Sequence, residues 1–236
     1  MNQRSLHISL DAGEGLVDER PLYNYVHALS IACGGHAGSA ESIKRTLELG
    51  AALGLQLGAH PSYPDVEHFG RRSMRLSKES LKQSLIEQLD LFQSQAEEMG
   101  LQWTHLKAHG ALYNDLAVDQ ALAENFLSAI TPFMNGKTLY VQEHSALAQF
   151  AKEKGFHCTH EYFIDRRYLN ERQLLSRSDP RGVIHSAEEC LTQLRLMQEG
   201  YLIDVNQQKH VVDAHTFCVH SDHPNTQHIL QTIHGA

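Results

Sequence analysis

A lysine, a histidine, a tyrosine and an asparagine fall within residues 107–114, directly after the strand-like run 103–106. The same layout, a short apolar segment followed by a glycine-containing turn with a histidine, recurs at residues 31–38 and 58–65. Parallel α/β proteins place their catalytic groups at the carboxyl ends of strands, just before the following helix. The pattern therefore indicates an enzyme.

Two carboxylates and a lysine are the strongest candidates for chemistry. Asp11 and Glu14 share one glycine turn, so both can face a single cavity, where burial and mutual repulsion separate their pKa values. The alternative is that Asp11 caps the turn and Glu14 is solvated. Lys107 and His109 alternate along an extended segment and point to the same side of a sheet. A lysine inside a barrel is costly unless paired, and Asp11 or Glu14 is a suitable partner.

Further candidates lie in two loops. His36 precedes a helix and follows two glycines, which allow a ligand to approach, and a helix N-terminus attracts anions. A tight turn with a hydrogen-bonded histidine is the alternative. His60 lies in a loop that prolines make stiff. Arg71 and Arg72 can clamp a carboxylate or phosphoryl group, or form structural salt bridges.

Composition excludes some classes of partner. The chain of 236 residues has a formal net charge of -8 and no run of lysine and arginine, so a nucleic-acid surface is not expected. The longest apolar runs are too short to span a membrane, and no signal peptide is visible. The 4 cysteines include no Cys-x-x-Cys pair. These features predict a protein of the reducing cytoplasm.

Strand and helix patterns alternate along the chain without a linker. Strands are predicted at residues 6–10, 30–33, 55–59, 103–107, 138–142, 157–163 and 216–220, with a further short piece at 182–185. Helices are predicted at residues 40–54, 77–100, 118–130, 145–154, 186–200 and 225–233. A small hairpin is expected near 201–214. The alternation favours a single α/β barrel over residues 1–236. The chain has neither a complete dinucleotide fingerprint nor a P-loop.

The whole ordered set of motifs resembles the LamB/YcsF family. The matching segments are residues 11–14, 32–38, 58–65, 69–72, 107–114, 165–168 and 218–222. The resemblance implies an irregular seven-stranded β/α barrel related to polysaccharide deacetylases. Since the family includes the A subunit of bacterial 5-oxoprolinase, it also implies ATP-dependent opening of 5-oxo-L-proline to L-glutamate. ATP would be a co-substrate, with Mg²⁺ in a complex that contains separate B and C subunits.

Seven positions depart from the family pattern and leave a related small lactam open as the substrate. They are Ser9, Ser30, Gly35, Ser62, Ala108, His215 and Ser221. Several of them are expected at the mouth of the barrel.

We assign roles within this hypothesis as follows. Asp11 or Glu14 acts as general base on water, and Lys107 and His109 stabilise the developing oxyanion. His60 completes the catalytic set, and Arg71 or Arg72 holds the substrate carboxylate. The full set expected around the substrate is His36, Tyr63, Arg71, Arg72, Tyr113, Asn114, Asp165, Arg166 and His220.

Two other functions remain open. The chain can be a substrate-binding or scaffold subunit that is inactive alone, since it has no recognisable nucleotide site. It can also be a metal-dependent, deacetylase-like amidohydrolase, with a divalent metal held by Asp11, His60 and His109. Lys107 argues against the metal, because a nearby ammonium repels a cation. The strand assignment places Asp11, His36, His60, His109 and His220 at one common cleft, and it predicts a neutral His109.

Overall fold

The computed structural model describes residues 6–15 and 18–236. The expectation that no signal peptide is present rests on residues 1–5, which lie outside this part. The strands are β1 Ile8–Ala12, β2 Ala28–Ala32, β3 Gln56–His60, β4 His105–Leu106, β5 Thr138–Val141, β6 His157–Phe163, β7 Tyr168–Asn170, β8 Gln173–Leu174, β9 Tyr201–Ile203, β10 Lys209–Val211 and β11 Thr216–His220.

Seven parallel strands close into a barrel in the order β1-β11-β6-β5-β4-β3-β2. The irregular seven-stranded β/α barrel expected from the sequence is therefore confirmed. Closure occurs where β1 pairs with the last strand, with Asp11 opposite His220. Both residues lie at the carboxyl ends of their strands, so the chain's first and last motifs meet at one rim.

The barrel strands are buried on both faces, because helices cover the outside and side chains fill the inside. Apolar residues at alternate positions, such as Ile8 and Leu10, join the hydrophobic core. The intervening positions carry polar groups, and these contact each other across the lumen. The Ser9 hydroxyl donates to Glu161 Oε1 at 3.1 Å, and Ser30 Oγ lies 3.3 Å from His105 Nε2. The interior of this barrel is thus a polar core.

The helices are α1 Ala40–Ala52, α2 Lys78–Glu98, α3 Gly110–Val118, α4 Gln120–Ile130, α5 Ala146–Glu153, α6 Ala187–Gln198 and α7 Thr226–His234. Ser39 caps α1 with a reciprocal bond to Ser42, and Ser77 caps α2. None of the helices in the described ranges is both long and apolar enough to cross a membrane.

The structure differs from the sequence prediction in three places. The helix expected to begin at residue 118 is preceded by another, α3, and Asp119 separates the two by capping α4. The piece at 182–185 is no strand, since only Val183 forms an isolated bridge, with Arg166. A small antiparallel pair, β7–β8, was not predicted. Within the range expected for a hairpin, β9 and β10 pair antiparallel.

Candidate active site

A cavity of about 400 Å³ opens at the carboxyl end of the barrel. This volume suits a small organic ligand. The cavity is lined by Asp11, His60 and His220, at the carboxyl ends of β1, β3 and β11, and by His109 just before α3. The predicted strand ends therefore surround a single pocket.

Lys107 lies at the floor of the cavity with 1% of its surface exposed. Its Nζ donates to Asp11 Oδ1 at 2.7 Å and to Cys218 Sγ at 3.1 Å, and it lies 3.1 Å from Glu161 Oε1. An ammonium has three protons, so these three neighbours account for all of them. Burial alone would lower the pKa of Lys107, but the charges around it raise that pKa well above its usual value.

Glu161 is a site residue that sequence reasoning missed. It is fully buried in β6, and its burial raises the pKa of its carboxyl even though Lys107 opposes the rise. An acidic residue two positions before the end of a buried strand was the available signal. Side chains alternate between the lumen and the outside along β6, and this alternation would have placed the Glu161 side chain in the lumen.

The pKa values of the Asp11 and Glu14 carboxyls are shifted in opposite directions. Burial raises the pKa of Asp11, but His60 and Lys107 outweigh this effect and hold it well below the usual range. Burial and the charge of Asp11 raise the pKa of Glu14 well above its usual value. The turn is fixed by Glu19, whose carboxylate accepts from the Gly13 and Glu14 amides at 2.7 and 3.1 Å. The separation of the two pKa values agrees with the sequence prediction.

The imidazoles of His60 and His109 have defined tautomers. His60 Nδ1 lies 2.8 Å from the Lys107 carbonyl oxygen, and His109 Nε2 lies 3.0 Å from the Phe69 carbonyl oxygen. A carbonyl oxygen only accepts hydrogen bonds, so these two nitrogens carry the protons. The inward nitrogens, His60 Nε2 and His109 Nδ1, lie 3.0 Å apart, and His60 Nε2 also lies 3.3 Å from Asp11 Oδ2.

His109 is neutral for reasons other than the one the sequence suggested. Burial is the main cause of its lowered pKa, followed by the neighbouring imidazoles of His36 and His60. The His36 ring stacks on His109 with centroids 3.6 Å apart. Lys107 was the expected cause, but its charge is taken up by Asp11 and Glu161.

Four ligand-type atoms converge between these side chains. Asp11, Glu14, His60 and His109 each offer one atom, and the four atoms lie within 4.8 Å of one another. The three metal ligands expected from the sequence thus lie together, and Glu14 joins them. The two inward nitrogens and the two buried carboxyls, once deprotonated, fit a divalent cation.

The mouth of the cavity carries two arginines. Arg71 and Arg177 both line it and both donate to the carboxylate of Asp222. Arg177 was not anticipated from the sequence. Arg72, in contrast, is exposed and lies outside the residues that line the cavity. Of the two arginines proposed to hold the substrate carboxylate, Arg71 is therefore the one that lines the cavity.

Several residues predicted to bind substrate have other contacts. The Tyr63 hydroxyl donates to Asp115 at 2.9 Å, away from the cavity lining. Asp165 accepts from His220 Nδ1 at 2.8 Å and so orients that ring from behind. His36 is also behind the lining and contacts Glu14 Oε1 through Nε2 at 3.1 Å. These contacts place the three residues where they support groups that line the cavity.

Three others do line the cavity. Tyr113 and Asn114 reach it from α3. Arg166 lines it too, but its guanidinium donates to the carbonyls of Gly182 at 3.0 Å and Leu175 at 2.7 Å. Arg166 therefore holds a loop in place while it lines the cavity, and its contact with substrate stays a prediction.

The positions that depart from the family pattern are mostly away from the mouth. Ala108 lines the cavity. Ser9 and Ser30 lie in the lumen below it, and His215 precedes β11 at the opposite end of the barrel. Gly35 and Ser62 form one packing unit with Gln88, since a Cβ at residue 35 would lie 2.3 Å from the Gln88 Oε1 atom and 2.5 Å from the Ser62 hydroxyl.

Similar proteins match this chain over almost its whole length. The LamB/YcsF family model matches residues 8–236. A protein of Neisseria meningitidis serogroup C, named as the A subunit of 5-oxoprolinase, is 34% identical over 223 residues, 94% of this chain and 91% of that protein. The Pyrococcus abyssi protein of the same name is 33% identical over 220 residues, 93% of this chain and 86% of that one.

Solved structures give the same result for the fold. The crystal structure of a lactam utilization protein from Thermus thermophilus superposes with a TM-score of 0.89 at 31% identity, covering 97% of this chain and 94% of that one. A protein of Enterococcus faecalis V583 described as a putative cellobiose-phosphate cleavage protein shares the fold at a TM-score of 0.59 and 12% identity, covering 99% and 94% of the two chains.

Proposed function

Because this chain belongs to the LamB/YcsF family, we propose that it opens a small lactam, 5-oxo-L-proline or a close relative, to the corresponding amino acid. It would act as the A subunit of a multi-subunit enzyme with B and C partners, with ATP as co-substrate and Mg²⁺ in the complex. Its relatives are named as one subunit of 5-oxoprolinase, which supports the dependence on partners. The observation that carries the proposal is the buried group of Asp11, Glu14, His60 and His109 around Lys107 in one ligand-sized cavity.

The two carboxylates divide the work between them. Asp11 is ionised and held by Lys107, so it supplies a fixed negative charge. Glu14 has a raised pKa, which brings it towards the range in which a general base works best near neutral pH. Glu14 is thus the better candidate to take a proton from the attacking water.

Lys107 acts through Asp11 in this proposal. Its three protons point to Asp11, Glu161 and Cys218, so a substrate oxyanion would have to displace one of these partners. We therefore assign Lys107 a positioning role in place of the oxyanion contact expected from the sequence.

Reconstitution tests the proposal. The chain, mixed with candidate B and C subunits, ATP, Mg²⁺ and 5-oxo-L-proline, should release glutamate. Glu14→Gln should reduce this release by ~100-fold or more, the usual contribution of a general base. Asp18→Asn is the control, because Asp18 is exposed and pairs with Arg20 on the surface. Absence of glutamate from a verified complex would contradict the substrate assignment.

A scaffold role is the less favoured alternative. Burying Lys107 and several carboxylates in a barrel lumen costs stability, and a scaffold has no need of that arrangement. If Glu14→Gln assembles with its partners and still turns over lactam at the normal rate, the scaffold role is correct.

A metal-dependent amidohydrolase is the second candidate, and the inward nitrogens of His60 and His109 favour it. They lie 3.0 Å apart, and once both are free of protons a cation between them would be bound by both. Asp11 and Glu14 would complete the set, and a bound cation would act as a Lewis acid on the amide carbonyl. Lys107 opposes this less than expected, because two carboxyls surround its charge.

Elemental analysis separates this candidate from the first. Purified protein dialysed against Zn²⁺ or Mn²⁺ should retain about one ion per chain, and His109→Gln should lose it. His144→Gln is the control, because its side chain is 41% exposed and outside the cluster. Substoichiometric metal in the unsubstituted protein, with glutamate release in excess Mg²⁺ unaffected when the chain is first treated with a chelator and dialysed, would remove the metal-dependent hypothesis.

A further inference from the structure

Two guanidinium groups share one carboxylate at the mouth of the cavity. Arg177 Nη1 lies 3.2 Å from Asp222 Oδ2, and Arg71 Nη2 donates to the same oxygen. Asp222 neutralises one positive charge and leaves the other uncompensated. The side chains of Arg71 and Arg177 are 38% and 28% exposed, so both remain accessible from the cavity.

The charges at the two ends of the cavity differ. At its floor the acidic side chains Asp11 and Glu161 surround the single lysine. At its mouth two arginines surround the single Asp222. An anionic group on a ligand is therefore repelled by the floor and attracted to the mouth, which gives the ligand a direction.

The loop with Arg177 is held in place without a ligand. Arg166, which is buried, donates to the carbonyls of Leu175 and Gly182, on either side of Arg177 in the chain. The Leu175 amide in turn donates to the Arg167 carbonyl at 2.8 Å. Since the loop is already ordered, a ligand that binds Arg177 loses little free energy in arranging it.

We propose that Arg177, together with Arg71, forms an oxyanion subsite that binds an anionic group of the substrate and directs its amide towards His60 and His109. The inference rests on the proposed lactam opening, in which the group is the carboxylate on the lactam ring. Planar guanidinium groups bind carboxylates and phosphoryl groups alike through paired N–H donors. The substrate class is therefore a small amide that carries a carboxylate or phosphoryl group on the nitrogen side of its scissile bond.

Calorimetry on the isolated chain tests the subsite with three probes: 5-oxo-L-proline, pyrrolidin-2-one, which is the same ring without the carboxylate, and inorganic phosphate. Arg177→Ala is the test variant, and Arg177→Gln replaces it if the alanine variant does not fold. Arg181→Ala is the matched control, because Arg181 lies in the same loop, is exposed and pairs with Asp179. Circular dichroism and a thermal melt verify that each variant is folded.

We expect Arg177→Ala to weaken binding of 5-oxo-L-proline by about 10-fold or more, the usual effect of losing a charge-assisted contact. Arg181→Ala should bind like the unsubstituted chain, and pyrrolidin-2-one should not distinguish the variants. A larger effect of Arg177→Ala on phosphate than on the lactam would identify the bound group as phosphoryl. The reverse order would identify it as carboxylate, and either result supports the subsite.

The failure of the subsite and the failure of the lactam function give different results. If 5-oxo-L-proline binds equally to the unsubstituted chain and to Arg177→Ala, the subsite is overturned and the lactam function stands. If the unsubstituted chain does not bind 5-oxo-L-proline, the lactam function loses its support and phosphate decides the subsite. Phosphate binding that Arg177→Ala loses and Arg181→Ala keeps supports the subsite, and any other phosphate result overturns it.

Discussion

Replacing Lys107 with methionine tests the buried ion network of the barrel. The substitution keeps most of the side-chain volume and removes the ammonium that contacts Asp11 Oδ1 at 2.7 Å and lies 3.1 Å from Glu161 Oε1. It leaves two carboxyls buried without their cation. We expect a large loss of stability, because an unpaired charge in the barrel lumen cannot reach water.

The size of the effect follows from the geometry. At an effective dielectric constant of about 20, each of the two pairs has a Coulomb attraction of roughly 5–6 kcal/mol. The cost of removing the three groups from water offsets most of this sum. Removal of one partner from a buried pair typically costs about 3–5 kcal/mol, and we expect Lys107→Met to fall in this range.

Urea unfolding, followed by circular dichroism, measures the free energy of unfolding of both variants. Lys44→Met is the control, since the Lys44–Glu98 pair is 3.4 Å long and on the surface, and its loss should cost less than about 1 kcal/mol. In the double variant Lys107→Met/Glu161→Gln one of the two carboxyls is neutral, so part of the lost stability should return.

The dependence on pH gives a second signature. Asp11 has a lowered pKa in the folded protein, so its contribution to stability is present above its ordinary pKa and is lost as the pH falls. In Lys107→Met the dependence of stability on pH has the opposite sign. Stability should rise as the pH falls, because protonation of Asp11 and Glu161 removes the unpaired charges. The free energy of unfolding of the variant should thus be closer to that of the unsubstituted protein at pH 5 than at pH 8. A loss no larger than that of Lys44→Met at both pH values would refute this account.

Three further predictions concern the barrel interior. Burial lowers the pKa of His105 to about 3 in the folded protein. As the pH falls below about 6.5, this histidine is therefore protonated in the unfolded chain while it stays neutral in the folded one, and the folded state loses stability. His105→Phe should therefore lose less stability than the unsubstituted protein between pH 7 and pH 5 in urea unfolding, and equal slopes would contradict this. Gly58→Ala would place a Cβ 2.3 Å from His105 Nε2 and should cost about 1–3 kcal/mol on the same assay, whereas an unchanged midpoint would refute the close contact. Gly35→Ala would place a Cβ 2.3 Å from Gln88 Oε1 and should destabilise the protein by a similar amount. Adding Ser62→Gly should restore part of the lost stability, because it removes the hydroxyl that the new Cβ also meets. If the effects of the two substitutions on the free energy of unfolding are additive, the two side chains do not compete for the same space.

The sequence by itself determined the barrel and the position of its active end. Alternating apolar residues specify each strand, and the polar residues that follow the strands meet at one rim once the strands are parallel. Asp11, His60 and His109 could be placed there without coordinates. The family resemblance then added the expected chemistry. Element boundaries were less accurate, as at α3, where a glycine start with no side-chain cap gave no signal.

Only the tertiary structure decided which groups pair inside the lumen. Lys107 and Asp11 are 96 residues apart, and their contact depends on how the closed barrel aligns its strands. Local sequence left Asp11 and Glu14 equally suitable as partners. Glu161 escaped notice for the same reason, because its importance comes from a lysine that follows β4, a strand two places away from β6 in the barrel.

The protonation states also come from the fold. The carbonyls of Lys107 and Phe69 determine which nitrogens of His60 and His109 carry protons, and each carbonyl lies in a different segment from the ring it contacts. Arg177 reaches the cavity because Arg166 holds its loop from below. Spacing along a chain specifies where a side chain leaves the backbone, whereas its partner, its burial and its charge depend on distant segments that only the folded barrel brings together.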